Sequence, residues 1–306
     1  MSAPSDTFDP TIAATPPAPS HAVRPFYWSV RRELWENRSL YVAPIVAAAV
    51  VLLGFLVSMS MLSHFHKLTS LADLDSGDLA APFGAGAVLV MLAGFIVALF
   101  YSLGALHNER RDRSILFWKS MPVSDFLTVL SKAAIPLLVM PAIVLGVVFP
   151  LHFVMLVVEM VVFAAHGLSP MALLSSLDPV ARETMLIYGL ITAAIWYVPV
   201  FGWLFLVSGW ARRVTFLWAI LPPIGLCVFE QIALGTHHIA NLLGHRLFGA
   251  ADAAFNSQNP GSAMHMMLTD VDPLGFIGRV DVWLGVVIGA AFFGAAVWLR
   301  RYRDPI

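Results

Sequence analysis

The feature that most constrains this chain is its series of long apolar runs. Six occur, at 41–62, 86–106, 133–165, 185–208, 214–234 and 282–299. A helix needs about 20 residues, with a range near 17–25, to cross the hydrocarbon of a bilayer. Five runs fit that length. The third is too long for one straight span, and Pro136, Pro141, Gly146 and Pro150 punctuate it. It must tilt and kink, run its last turns along the far surface, or double back as a re-entrant pair. A single crossing over 133–158 keeps the count at six. Of the 306 residues, 59% are hydrophobic and 12% charged, whereas a soluble domain has roughly 25% charged residues. The expected fold class is therefore an all-α membrane protein with six transmembrane helices. The spans would belong to one domain over 25–306. Residues 1–24 are dominated by Pro, Ser, Thr and Ala and lack the basic start and apolar core of a signal peptide, so a disordered tail is expected.

Between the tail and the first run, 25–40 mixes Phe26, Trp28, Val30, Leu34 and Trp35 with Arg31, Arg32, Glu33, Glu36 and Arg38. Val30 and Leu34 are four apart and Trp28 and Trp35 seven apart, which predicts a helix with one apolar, aromatic face. Beside a span, Trp28, Arg31, Arg32 and Trp35 suit an interfacial helix, with Trp at headgroup depth and Arg toward lipid phosphate. The plainer alternative is a solvated first turn of the next span. Six spans put both termini on one side. Fourteen of the eighteen Lys and Arg residues then fall on that side, and Lys67, Arg182, Arg246 and Arg279 on the other. The positive-inside rule makes the basic side cytoplasmic.

The central segment, 108–132, carries five of those basic residues. Glu109, Arg110, Arg111, Asp112 and Arg113 are expected as a solvated charged collar. Ile115, Leu116, Phe117 and Trp118 follow consecutively, so they point all around a helix, and some must meet another protein or water. Pro122 stops that helix, and Ser124 or Asp125 can cap the next, which runs through Leu127 and Leu130 into the third span. A short helix, a proline corner and a second helix suit a socket on a partner. Interfacial anchoring by Phe117 and Trp118 is the alternative.

Catalytic signals are lacking. There is no G-x-S-x-G, H-E-x-x-H, C-x-x-C or Walker A, and none of Lys67, Lys119 and Lys132 follows a glycine. No enzyme activity, cofactor or nucleic-acid partner is expected, and any ATPase would be a separate polypeptide. The single Cys227 reads as a packing residue. His64 and His66 lack a third metal ligand. Two carboxylates stand out: Glu230, about 24 Å along its helix from the basic end, and Glu159, about 39 Å along its run. An intramembrane carboxylate is a candidate proton relay or substrate contact. The alternative is a carboxylate at the far interface, hydrated or paired with Gln231 or a histidine. Gly285-x-x-x-Gly289 allows close helix approach, expected inside the bundle rather than at a dimer seam. In the long loop 235–281, Ile239, Leu242, Leu243, Arg246, Leu247 and Phe248 predict a short amphipathic helix, and 256–262 a turn.

The run N-E-R-R-D-R-S-I-L-F-W-K-S-M-P-V-S-D from Asn108, followed by Ser131-Lys132, resembles the segment between spans two and three of ABC-2-type transporter permeases. The stretch S-G-W-A-R-R-V-T-F-L-W-A-I-L-P-P from Ser208 resembles the turn between spans four and five in the same group, and the likeness extends from Phe26 to the C-terminus. The resemblance implies a half-transporter of a bacterial inner membrane that exports a substrate, pairs with itself or a related permease, and binds a separately encoded cytoplasmic ABC ATPase. On this chain the coupling helix would be 113–125, with Arg113, Ile115, Leu116, Phe117, Trp118, Lys119, Met121, Pro122 and Asp125 at the partner. A stand-alone ion- or proton-coupled carrier using Glu159 and Glu230, or a membrane anchor with no transport path, are the other expectations.

Overall fold

The structure is a computed structural model that describes residues 23–65, 76–112, 114, 124–255 and 271–302. Arg113, Ile115, Leu116, Phe117, Trp118, Lys119, Met121 and Pro122 lie outside the described residues, as do the tail to residue 22, His66, Lys67 and the turn at 256–262. Among the described residues the chain is helical, and its β pairing is one antiparallel bridge, Phe255–Val271. In chain order the helices are α1 (Val23–Glu36), α2 (Ser39–Phe65), α3 (Ser76–Gly104), α4 (His107–Arg111), α5 (Asp125–Ala134), α6 (Met140–Ala165), α7 (Pro170–Leu177), α8 (Pro179–Trp196), α9 (Val198–Trp210), α10 (Thr215–Leu234), α11 (His238–Phe248), α12 (Ala250–Ala254), α13 (Pro273–Gly278) and α14 (Val280–Tyr302). Five helical stretches are long and apolar enough to cross a membrane, or six if a bent pair is one span.

That bent pair is the fourth apolar run. It is not one straight helix over 185–208: the stretch Pro170–Trp196 meets α9 at 47°. Pro199 explains the break, since it lacks an N–H to bond the carbonyl of Ile195 and its ring crowds that oxygen. The third run resolves the other way. It is one helical stretch, Asp125–Ala165, of 41 residues, neither re-entrant nor confined to 133–158. A π turn, Ile135–Val139, joins α5 to α6. The wider turn accommodates Pro136, which has no N–H to offer the Lys132 carbonyl; that carbonyl accepts from the Ile135 N–H instead. At about 1.5 Å per residue the stretch is roughly 60 Å long, twice the hydrocarbon thickness. α3 likewise starts at Ser76, ten residues before the apolar run suggested, and carries Pro82 inside it.

The two larger of three apolar clusters among the described residues hold the bundle. One joins α2, α3 and α6 with α7 and α8 through Phe55, Phe83, Val90, Val148, Phe163 and Leu173. The other lies toward the end where α1, α4 and α5 meet the last turns of α14, hereafter the basic end. It contains Leu40, Ala98, Leu106, Ile135, Phe205 and Ala296. α9 and α14 make the closest pair. A Cβ on Gly202 would stand 2.8 Å from the Gly289 carbonyl oxygen, and one on Gly289 would stand 2.6 Å from Val198 Cγ1. The glycine spacing in the last run is therefore spent within the chain. α10 sits at the edge, with Phe229 and Ile232 exposed.

Candidate functional site at the root of the central segment

The central segment leaves the bundle at α4 and re-enters it at α5. Both roots are tied down by ions that burial would penalise if they were unpaired. Arg300, near the end of α14, donates Nη1–H to Glu109 Oε2 on α4 and Nε–H to Asp125 Oδ1 on α5, the latter at 3.0 Å. One guanidinium thus joins the two ends of the segment; its fork geometry serves two carboxylates at once. Lys132 continues the chain of charge. Its Nζ lies 2.7 Å from Glu33 Oε1 and 3.2 Å from Glu109 Oε1. Tyr101 on α3 donates its hydroxyl to Glu33 Oε2 at 2.9 Å. Glu33, Glu109, Lys132 and Arg300 are each at most 6% exposed. Five elements, α1, α3, α4, α5 and α14, therefore share one ionic junction.

Local sequence explains each placement. Ser124 accepts from the Leu127 N–H and starts α5, freeing Asp125 to turn toward Arg300. Lys132 lies seven residues after Asp125, on the same face of that helix. α4 is held from α9: Ser208 Oγ accepts from the N–H groups of Leu106 and His107, both at 3.0 Å. Arg110 donates Nη1–H to the Gly209 carbonyl at 2.7 Å. His107 Nδ1 lies 3.2 Å from the Ala211 carbonyl. The stretches beginning Asn108 and Ser208, which resemble parts of one family, are thus in direct contact.

These contacts correct the sequence reading. Glu109 and Arg110 are buried, and among the described members of the collar Arg111 and Asp112, which pair with each other at 3.1 Å, face solvent. Asp125 is engaged within the chain through Arg300. The helix α1 has two faces rather than one: Val30 and Leu34 pack on the core, while Trp28 and Trp35 point outward, 57% and 67% exposed. The Arg31 guanidinium stacks on both indoles, at 5.1 and 4.7 Å. At 100° per residue, Trp28 and Val30 are nearly opposite, a spacing the four- and seven-residue intervals alone did not compare. Arg32 pairs with Glu36 at 2.6 Å. Half-burial lowers its pKa, but the Glu36 carboxylate raises it by more, and the net direction is upward. A cleft of about 580 Å³ opens between α1 and the root, lined by Glu36, Asn108, Asp112 and Lys132 among others.

The two remaining candidates separate. Glu230 accepts from the Thr236 hydroxyl and from the backbone N–H groups of His238 and Ile239, at 2.7–2.8 Å. It caps α11, and its carboxylate also interacts electrostatically with His238. Glu159 is 1% exposed on α6, and its Oε2 has no hydrogen-bond partner. The amphipathic helix expected in the long loop is α11. It is fastened to the bend in the fourth run, with the Trp196 indole donating to the Arg246 carbonyl and the Tyr197 hydroxyl to that of Leu247, both at 2.9 Å. No group of three or more metal-ligating side chains occurs among the described residues. Sequence reasoning missed Glu33, Tyr101 and Arg300; buried charge in an apolar chain was the signal that marked them. Comparison of the chain with family models, with curated proteins and with solved structures finds no match.

Proposed function

We propose that this chain is the membrane-spanning permease subunit of an ATP-driven, ABC-2-type exporter, with the basic end and both termini in the cytoplasm of a bacterial inner membrane. The central segment over 113–125 is its docking surface for a separate ABC ATPase. Two copies, or this chain and a related permease, enclose the substrate path. The observation that carries this reading is the Arg300 junction. A polar segment rooted in α4 and α5 by one buried guanidinium can transmit force to the last span, and through Lys132 and Glu33 to α1. ATP-driven closure of the partner would then tilt α3 and the Asp125–Ala165 stretch together. The outward Trp28, Arg31 and Trp35 suit α1 to the headgroup layer.

The test is co-expression with an ATPase from a neighbouring reading frame that carries G-x-x-x-x-G-K-[ST]. Purification by a tag on this chain should retain the ATPase in wild type and lose it in a folded Phe117→Asp/Trp118→Asp variant. Retention in both removes the docking role. A second reading, a proton-coupled carrier, is favoured by the buried Glu159, whose Oε2 has no hydrogen-bond partner. It expects transport without any ATPase and loss of transport in Glu159→Gln.

A further inference from the structure

At the end of the bundle opposite the basic end, α11 is fastened unequally to three neighbours. On the α10 side, Glu230 accepts from the Thr236 hydroxyl and from the His238 and Ile239 N–H groups at 2.7–2.8 Å, which holds the turn into the helix. On the side of the bend, the Trp196 indole and the Tyr197 hydroxyl each donate to an α11 carbonyl at 2.9 Å. These are ordinary hydrogen-bond lengths. Toward α14 the contacts are longer. Arg246 Nη1 lies 3.4 Å from the Asp281 carbonyl oxygen, and His245 Nε2 lies 3.4 Å from Asp281 Oδ2. That carboxylate is already engaged by Arg279, at 3.0 and 3.1 Å, and by the Val282 N–H.

What α11 lays on α14 is a guanidinium. A Cβ on Gly285 would overlap the Arg246 guanidinium, so the last span receives that group because residue 285 has no side chain. Gly289, one turn on and on the same face, meets Val198 just beyond the bend. The guanidinium also stacks on the buried Trp196 ring, with Cζ 4.5 Å from the centroid. Its Nη2 is covered and has no hydrogen-bond partner. A covered donor without an acceptor has given up its hydration for nothing in return. Lifting from α14 restores that hydration, while the Trp196 ring and both carbonyl bonds travel with α11. No residue of α11 is buried, so little apolar packing opposes the movement.

We propose that α11 is a strap poised to lift from α14, hinged on α10 and carried by the bend. This movement goes beyond the docking function and does not depend on it. Lifting takes the Arg246 guanidinium off its seat at Gly285 and bares the first turns of the last span. Closing returns it between Trp196 and Gly285.

The experiment uses the full chain in lipid nanodiscs, in a Cys227→Ser background, with pairs of spin labels. Labels at Asn241 and Val287 read the strap against the last span, and labels at Asn241 and Ile191 read it against the bend; all three positions are exposed. The first pair should show a main population at short distance. Arg246→Met removes the seated group but keeps the backbone carbonyl that Trp196 uses. It should raise the longer-distance population of the first pair several-fold, as should Gly285→Leu, which fills the seat. The second pair should stay narrow in both variants. Arg246→Met adds no bulk, so a first-pair distribution that it leaves unchanged overturns the proposal whatever Gly285→Leu does. Broadening of both pairs together also overturns it, because α11 would then be loosening from every neighbour rather than lifting from one.

Discussion

The two ends of this bundle handle buried charge differently. At the basic end, Glu33, Glu109 and Asp125 meet Lys132, Arg300 and the Tyr101 hydroxyl in an arrangement that spans five helices. At the opposite end, His152, Glu159, Arg182 and Glu183 leave two carboxylate oxygens without a partner. At the basic end each carboxylate lies against a cation, Glu109 Oε1 included, although that oxygen too lacks a hydrogen-bond partner. A network closed by ion pairs rigidifies what it joins, whereas a partly satisfied one is open to a change of contact.

Breaking one cation at the ion-paired basic end should have the largest effect. Arg300→Met leaves the buried Glu109 with Lys132 alone and the half-covered Asp125 without its partner. Removal of one member of a buried ion pair costs about 3–5 kcal/mol, read as a large fall in the thermal unfolding midpoint in detergent. Adding Glu109→Gln should restore part of it. Ser208→Ala should come next, at about 2 kcal/mol, because it strips the acceptor from two covered N–H groups where α4 begins. It should loosen α4 from α9 and shift the same midpoint by less than Arg300→Met does. At the other end Glu159→Gln should be the mildest and of opposite sign. Replacing a buried carboxylate that has one oxygen without a hydrogen-bond partner by a neutral amide removes a charge that burial disfavours, which offsets the lost attraction to Arg182, so the midpoint should hold or rise by up to about 1 kcal/mol equivalent. A large loss from Glu159→Gln would erase the contrast between the two ends.

The helical, multi-span character was legible because the apolar runs report it directly. Run edges were less so. The Asp125–Ala165 stretch begins eight residues before its apolar run, since Ser124 starts the helix and hydropathy does not see a cap. The bend at Tyr197 could have been read from Pro199, which lies in mid-run. The junction was hidden for a different reason. Glu33, Glu109 and Arg300 are far apart in the chain and sit where charge is ordinarily solvated, so sequence alone made them part of an interfacial helix, a collar and a count toward orientation. Glu230 was found for its charge, but its work as the cap of α11 depends on a turn at Gly235, φ +64°, that no periodicity announces.

The most direct measurement of the central claim uses the chain's single cysteine. In a Cys227→Ser background, Phe117→Cys is compared with Met171→Cys, which lies on α7 and is 72% exposed. Each is co-expressed with the candidate ATPase and treated with a short thiol-to-amine cross-linker. The account predicts a cross-link to the ATPase from position 117 and none from position 171. No product from position 117, or equal products from both positions, would contradict it.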